Sequence, residues 1–191
     1  ASRWLDTVVV STEDAEIAAI ATEHGATVVA RPQDLATDLV QNTAVVRHAL
    51  EAMGAAYSHV ALLQPTSPLR GANDIDACLK LLLDGQARST MTVTPVEHHP
   101  GKTMYVDDSG AIRPFTTPAD MEARRQDLPT VYRQNGAVYA LACADFLLEN
   151  RFIISPCKVH VMSPADSVDI DSEFDLFMVE KLLEMRKQAS V

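Results

Sequence analysis

HVALLQPTSPLR, residues 59–70, joins two kinds of sequence at one point. His59 to Leu63 is a continuous apolar run of strand length, and a strand apolar on both sides must be covered on both sides. It stops at QPTSPLR, where two prolines stiffen a turn. Three other runs share the signature: TVVVS at 7–11, TVVA at 27–30 and TMTVT at 90–94. Amphipathic patterns separate them. Ile17, Ala18, Ile20 and Ala21 follow candidate caps at Ser11 or Thr12; Val45, Val46, Ala49, Leu50 and Met53 form a second stripe; Ile75, Cys78, Leu79 and Leu82 form a third. Strand and helix alternate three times and a strand follows. This predicts an α/β fold, a mostly parallel sheet with helices on both faces, hence three layers.

The pattern changes after Thr94. EHHPGK reads as a loop, and 103–106 with 111–115 as a hairpin around Asp107-Asp108-Ser109-Gly110. A polar stretch, TTPADMEARRQDLPTVYRQNG, leads to a strand at Ala137–Leu141, a short helix at Ala144–Asn150 and a strand at Lys158–Met162. A last helix, Phe174–Lys187, would bury Phe174, Phe177, Met178, Leu182 and Met185. The expected organisation is one domain over 1–191, with a small β-rich excursion over about 97–135 of the kind that covers a site or makes a dimer contact.

The formal net charge of −10 argues against nucleic acid or an anionic membrane as the main partner. It suits a divalent cation, and a local cluster of Arg and Lys can still hold a small anion. Cys78, Cys143 and Cys157 are odd in number and lack metal-ligand spacing, so free thiols in a reducing compartment are expected. No apolar run approaches membrane-spanning length, and ASRWLDTVVVS lacks the order of a secretory signal. The cytoplasm is the expected location.

In open α/β sheets ligands bind beyond the carboxyl ends of strands. That makes Gln64, Thr66 and Ser67 candidates, an amide being able to donate and accept towards a polyhydroxylated or carboxylate substrate. The plain alternative is a turn that caps the next helix. Arg31 stands at the same kind of strand end and suits a phosphate or a base edge, or is a solvated arginine. His98 and His99 point to opposite sides and read as structural, with Lys102 a possible anion contact. Arg124, Arg125 and Arg133, near Asn135 and Tyr139, form the most cationic region and could bind carboxylate or phosphate bidentately. In SVDIDSEFD, alternation on an extended segment puts Asp169 and Asp171 on one side. Two carboxylates together repel unless a cation or proton lies between them, and Mg²⁺ takes one or two carboxylates beside phosphates and waters. Helix capping by Asp171 or Ser172 accounts for Asp171 but leaves Asp169 without a role. Glu173 and Asp175 suit a helix start.

Taken together, RPQDLATD, LLQPTSPLR, EHHPGK, RRQDLPTVYRQNGAVYA and SVDIDSEFDL resemble the CMP-N-acylneuraminate synthetases (acylneuraminate cytidylyltransferases), in consistent order from Thr7 to about Leu183. Relatives that activate legionaminic, pseudaminic and ketodeoxyoctonic acids share the resemblance. It implies a Rossmann-like fold, Mg²⁺, and the reaction of CTP with a nine-carbon 2-keto sugar acid to give the CMP-sugar and pyrophosphate. It also implies a homodimer whose excursion reaches the partner's active site. By motif, Arg31 and Asn42 would contact the nucleotide, Gln64 and Thr66 would hold the sugar, and Tyr139 and Phe152 would wall its pocket. Lys102 and Arg125 would come from the partner chain, and Asp169 and Asp171 would bind Mg²⁺. Arg133 and Asn135 complete the expected substrate contacts; Asp169, Asp171, Gln64 and Arg125 are the expected catalytic group.

The sequence departs from the family's pattern in three places. Asn42 stands where serine is frequent, and Ile153 where a second aromatic follows Phe152. The N-terminal strand and phosphate loop of the type A-R-x-G-S-K…K-N have no counterpart before Thr7 in this sequence; only if they were truly missing would a central strand be lost and catalysis be expected to fail. A non-catalytic nucleotide- or sugar-binding or dimerisation module of the same fold, and a nucleotide-sugar glycosyltransferase, are the alternatives.

Overall fold

Chain order, over residues 2–54 and 57–189 that the computed structural model describes, runs β1 (Val9–Thr12), α1 (Ala15–Glu23), β2 (Thr27–Ala30), α2 (Asn42–Met53), β3 (His59–Leu62), α3 (Ala72–Leu83) and β4 (Ser89–Pro95). A hairpin of β5 (Met104–Val106) and β6 (Ile112–Pro114) follows, then α4 (Pro118–Glu122), β7 (Tyr132–Ala142), α5 (Cys143–Glu149), β8 (Cys157–Val161) and α6 (Glu173–Ala189). β1 and β2 pair in parallel as a two-stranded sheet. The larger sheet has the order β3-β7-β4-β8.

The expected common strand direction holds for β3, β4 and β8, and β7 runs against them. The reason lies in the excursion. Parallel neighbours need a crossover that carries the chain back to the starting edge. Here no helix crosses the sheet: Pro95, where β4 ends, pairs with Tyr132, where β7 begins, and Val96 N–H donates to the Val131 carbonyl at 3.1 Å. The excursion therefore leaves and re-enters at the same edge, and its return strand must be antiparallel.

Register distributes the larger sheet between two cores. Val60 lies opposite Leu141, and Ala61 opposite Ala140. Alternation sends Ala61, Ala140, Val138 and Leu63 towards Ile75, Cys78, Leu79 and Leu82 of α3. Val60 and Leu141 meet Phe146 of α5 and Val46 and Leu50 of α2 on the other side. Helices on both faces make the three expected layers.

Two helical stripes correct the sequence reading. Among the described residues of α6 only Val179 is buried; Phe174 is 69% exposed and Met185 64%. In α1, Ala21 is buried while Ile17 and Ile20 are about half exposed, and Asp14, rather than Ser11 or Thr12, supplies the cap by accepting from Ile17 N–H at 2.9 Å. Helical spacing says which residues share a face; whether anything covers that face is a tertiary matter. α6 is fastened by polar bonds instead: Arg186 donates to the Leu69 carbonyl at 2.9 Å and pairs with Asp166.

Cys78 is wholly buried beneath the sheet, and burial pushes its thiol up to about 12; burial raises the Cys143 thiol as well. Both stay protonated and unreactive near neutral pH, since the thiolate is the nucleophile. In the native protein at pH 8, iodoacetamide should label the partly exposed Cys157 first and leave Cys78 intact until unfolding. Peptide mass spectrometry checks this; equal labelling rates would contradict it. Among the described residues no helix is long and apolar enough to cross a membrane.

Candidate functional site

The turn after β3 is locked from several directions. Arg70, whose guanidinium burial holds below its ordinary value, donates to the carbonyls of Gln64 and Ser67, both at 2.6 Å. Buried Ser67 donates through Oγ to the Asn135 carbonyl at 2.8 Å. The Gln64 side chain lies directly on β7 at Gly136. A Cβ there would stand 2.2 Å from Gln64 Oε1 and 2.9 Å from Ser67 Oγ, and φ is +72°. Both facts call for glycine.

Gly136 sits in a distorted part of β7. Met91 pairs with Tyr139 and Val93 with Gln134, so over this interval β4 advances two residues and β7 five. Such irregularities re-aim side chains. Asn135 turns inward and is 1% exposed. Its Oδ1 accepts from Thr92 Oγ1 at 2.6 Å and its Nδ2 donates to Ser167 Oγ at 2.9 Å. Ser167 Oγ donates in turn to the Ser163 carbonyl at 2.7 Å. Gln134 and Tyr139 emerge together outside, the Tyr139 hydroxyl donating to Gln134 Oε1 at 3.0 Å.

A cleft of about 420 Å³ opens over these residues. Leu62, Gln64, Gln134 and Tyr139 form its floor, and the start of α2 (Gln41, Asn42, Thr43) forms one wall. Gln41 makes no side-chain cap bond, so α2 brings the positive end of its dipole to the cleft. Asn150–Ile153 line the cleft as well. Asn150 ends α5 in the left-handed conformation, and Arg47 donates to its Oδ1 at 3.1 Å. Phe152 faces Tyr139 with ring centroids 6.0 Å apart and stacks on buried Phe146 at 5.1 Å.

The acidic loop is stitched to the same turn. Ile170 N–H donates to the Thr66 carbonyl at 2.8 Å, Arg133 Nη2 to the Ser167 carbonyl at 3.2 Å, and Ser67 Oγ lies 3.3 Å from Asp169 Oδ1. Asp169 is half-buried and close enough to Tyr139 to matter: burial first, then the Asp169 charge, holds the phenol above its ordinary value. Residues 168–170 belong to no strand, and Asp171 is exposed. The α6 start is capped by Ser172, which accepts from Asp175 N–H at 3.3 Å and donates to Asp175 Oδ2 at 2.6 Å. The Asp171 carboxylate is therefore left over from the capping role. Among the described residues no three His, Cys, Asp or Glu side chains form a metal-holding group. A half-buried and an exposed carboxylate two residues apart fit an ion that takes most of its ligands from phosphates and water, as Mg²⁺ does; they do not fit a closed zinc site.

The cleft thus brings together Asn42, Gln64, Tyr139 and Phe152, with Asp169 beside Tyr139. It does not include Arg31, Thr66, Lys102, Arg125 or Arg133. Arg31 is engaged by Glu13 (Nε at 2.7 Å, Nη2 at 2.5 Å), which draws the Glu13 carboxyl below its usual range. Thr66 has an exposed side chain and contributes its carbonyl. Lys102 donates to the carbonyls of Met121 and Ala123 on the excursion, and Arg125 is exposed there. His99 is structural, accepting from Gly101 N–H at Nδ1 and donating to the Pro129 carbonyl through Nε2. The sequence reading passed over Gly136, Gln134, Arg70 and Arg151. For Gly136 a signal existed, since glycine inside a strand pattern marks a bulge or a close backbone approach.

The profile of a family described as Cytidylyltransferase matches residues 1–182. The chain is 31% identical over 196 aligned residues to the CMP-N,N'-diacetyllegionaminic acid synthase of Legionella pneumophila, covering 100% of this chain and 83% of that protein. It is 27% identical to a pseudaminic acid cytidylyltransferase of Campylobacter jejuni, covering 97% of this chain and 81% of the other. It is also 27% identical to the N-acylneuraminate cytidylyltransferase of Escherichia coli, 41% of whose length it spans. Among solved structures, that of CMP:2-keto-3-deoxy-manno-octonic acid synthetase complexed with CTP superposes with a TM-score of 0.68 at 12% identity, over 97% of this chain and 83% of that one, a likeness of fold. Motifs in order, a three-layer fold and a profile match over nearly the whole length agree: the chain belongs to the cytidylyltransferase family.

Proposed function

We propose that this cytidylyltransferase joins CTP to the anomeric hydroxyl of a nonulosonic acid, releasing pyrophosphate and the CMP-sugar. The observation that carries the reading is the cleft itself. It offers neutral amides at Gln64 and Gln134 and the aromatic rings of Tyr139 and Phe152, with the start of α2 also lining it and Asp169 beside Tyr139. Amides that donate and accept suit a polyhydroxylated acid, and aromatic faces suit the apolar side of a sugar ring.

In-line attack on the α-phosphorus asks the protein mainly for positioning and charge neutralisation. Gln64, pinned through Arg70 and Gly136, would orient the sugar. Asn42 and the α2 terminus would face the nucleotide. Asn135 would act by holding the acidic loop to β7. Asp169 and Asp171 would hold Mg²⁺, which when bound neutralises phosphate charge. Among the described residues lining the cleft there is no histidine or carboxylate.

The motifs favour N-acylneuraminic acid as the sugar; the identity to the legionaminic acid synthase along the whole chain favours a second reading with that acid. The exposed apolar residues of the hairpin, Tyr105, Val106, Ile112 and Phe115, support a homodimer in which the excursion delivers Lys102 and Arg125 to the partner's cleft. Arg31 would reach the nucleotide by leaving Glu13, and Arg133 and Thr66 would lie behind the sugar. Free thiols support a cytoplasmic location.

Pyrophosphate release from CTP with a panel of nonulosonic acids, on protein whose mass by light scattering is that of a dimer, is the test. Mg²⁺-dependent release with one acid far above the rest is expected. Failure of CTP to bind by calorimetry, with or without Mg²⁺, would favour the non-catalytic module.

A further inference from the structure

We infer that Thr92, Asn135 and Ser167 form a buried hydrogen-bond relay that fixes where Asp169 stands, which makes Thr92 and Ser167 positioning residues for the ion; the inference rests on the metal reading proposed above. All three are at most 1% exposed, too deep to touch a substrate. The relay has one direction, set by a backbone group at each end. Val138 N–H donates to Thr92 Oγ1 at 2.9 Å. Thr92 Oγ1 donates to Asn135 Oδ1 at 2.6 Å, the nearer of its two acceptors. Asn135 Nδ2 donates to Ser167 Oγ at 2.9 Å, and Ser167 Oγ donates to the Ser163 carbonyl at 2.7 Å. Ala137 N–H also reaches Asn135 Oδ1 at 3.3 Å, and Met162 Sδ lies 3.2 Å from Nδ2. The amide is thus engaged on both its oxygen and its nitrogen. Flipping it would set N–H against N–H at Ala137.

The relay holds the acidic loop just ahead of Asp169. Ser167 is fixed through its main chain as well: its N–H donates to the Pro164 carbonyl at 3.1 Å, and its carbonyl accepts from Arg133 Nη2 at 3.2 Å. Just after Asp169, Ile170 N–H donates to the Thr66 carbonyl at 2.8 Å. Asp169 therefore hangs between two fixed points. Asn135 also holds the turn that carries Gln64, its carbonyl accepting from Ser67 Oγ at 2.8 Å. One buried residue thus registers the carboxylate against that turn. Mg²⁺ demands near-ideal octahedral geometry, so a carboxylate that serves it gains from a rigid mount. Buried hydrogen bonds in series strengthen one another. A loss at Thr92, which makes no hydrogen bond to the loop, is therefore felt at Asp169.

The test is Thr92→Val, with Ser167→Ala beside it and Thr90→Val as control. T92V removes the hydroxyl and keeps the branched shape. Thr90 is as deeply buried on the same strand, but its hydroxyl donates to the Cys78 carbonyl at 3.2 Å, outside the relay. The probe is Mn²⁺-CTP, its capture by the protein read from the enhancement of water-proton relaxation. T92V and S167A should weaken capture about tenfold, the lower end for losing an outer-shell partner, and T90V by less than about twofold. Turnover in T92V should recover at high Mg²⁺, whereas that of Asp169→Asn should not. In the metal-free protein, hydrogen exchange over residues 163–171 should quicken in T92V and not in T90V. Unchanged capture in T92V, or an equal loss in T90V, would overturn the assignment; T92V carries the test alone if S167A does not fold. A wild type that captures Mn²⁺-CTP no better than Asp169→Asn overturns the metal reading instead, and the exchange comparison then decides whether the relay holds the loop.

Discussion

Asp169→Asn will lower turnover by about two to three orders of magnitude while the protein stays folded. The substitution keeps the shape of the side chain and the acceptor facing Ser67 Oγ, 3.3 Å away. What it removes is the negative charge at the margin of the cleft. A preorganised charge aimed at the reacting phosphates is worth about 10²–10³ in kcat, and an amide is a poor ligand for a hard divalent cation. Kinetics across an Mg²⁺ titration measure the loss, and two physical readouts accompany it. CTP binding by calorimetry should lose most of its enhancement by Mg²⁺. The Tyr139 phenol, raised by burial and then by the Asp169 charge, should titrate lower in the variant without metal. The sign follows because a neighbouring anion disfavours phenolate, so its removal lets the phenolate form earlier. Difference absorbance between the two proteins during alkaline titration isolates that tyrosine. Near-normal turnover in D169N would defeat the metal assignment; an unshifted tyrosine would defeat the geometry.

Gly136→Ala comes next, with an expected loss of about thirty- to a hundredfold in kcat/KM for the sugar. Two costs separate here. An alanine held at φ +72° costs about 1–2 kcal/mol of stability. The new methyl group would stand 2.2 Å from Gln64 Oε1, an impossible distance. Gln64 Oε1 is the end of a flexible side chain, while the backbone of Gln64 is clamped by Arg70. The amide therefore rotates away, and the sugar loses its orienting group while the fold survives. A misplacement on this scale costs on the order of a hundredfold. The decisive comparison is a double-mutant cycle with Gln64→Gly, which removes the group that the methyl displaces. If Gly136 acts through Gln64, G136A adds little on that background; full additivity would show that Gly136 matters only to folding. CTP binding should be nearly unchanged in G136A, since the α2 side of the cleft is untouched.

Much of this was open to a reading of residues. Asp169 stood out because capping explained its neighbour and not itself, and Ser172 with Asp175 does supply that cap. Gln64, Tyr139 and Phe152 stood out by motif, and one cleft holds all three together with Asn42. Arg31 and Lys102 were expected contacts by resemblance, Lys102 towards the partner chain's site; within this chain Glu13 and the carbonyls of 121 and 123 engage them. A lone arginine or lysine says only that a cation is available; which acceptor folding brings to it depends on residues far along the chain. Asn135 was marked as a substrate contact on its closeness to Tyr139 in sequence. The distorted strand separates the two, sending the amide inward to Thr92 and the ring outward.

By itself the sequence determined the alternation of strands and helices, the apolar faces available to each, and the turn at Gln64–Arg70. These follow from local periodicity and from proline and glycine chemistry, which need no partner to be expressed. Only the tertiary structure decided the reversal of β7, the exposure of the α6 stripe, and the meeting of Gly136 with Gln64. Each depends on residues far apart in the chain: Pro95 with Tyr132, Leu69 with Arg186, and Gln64 with Gly136. Side-chain periodicity carries no information on such pairs, because register and crossover direction are settled when the sheet closes and the excursion returns to the edge it left.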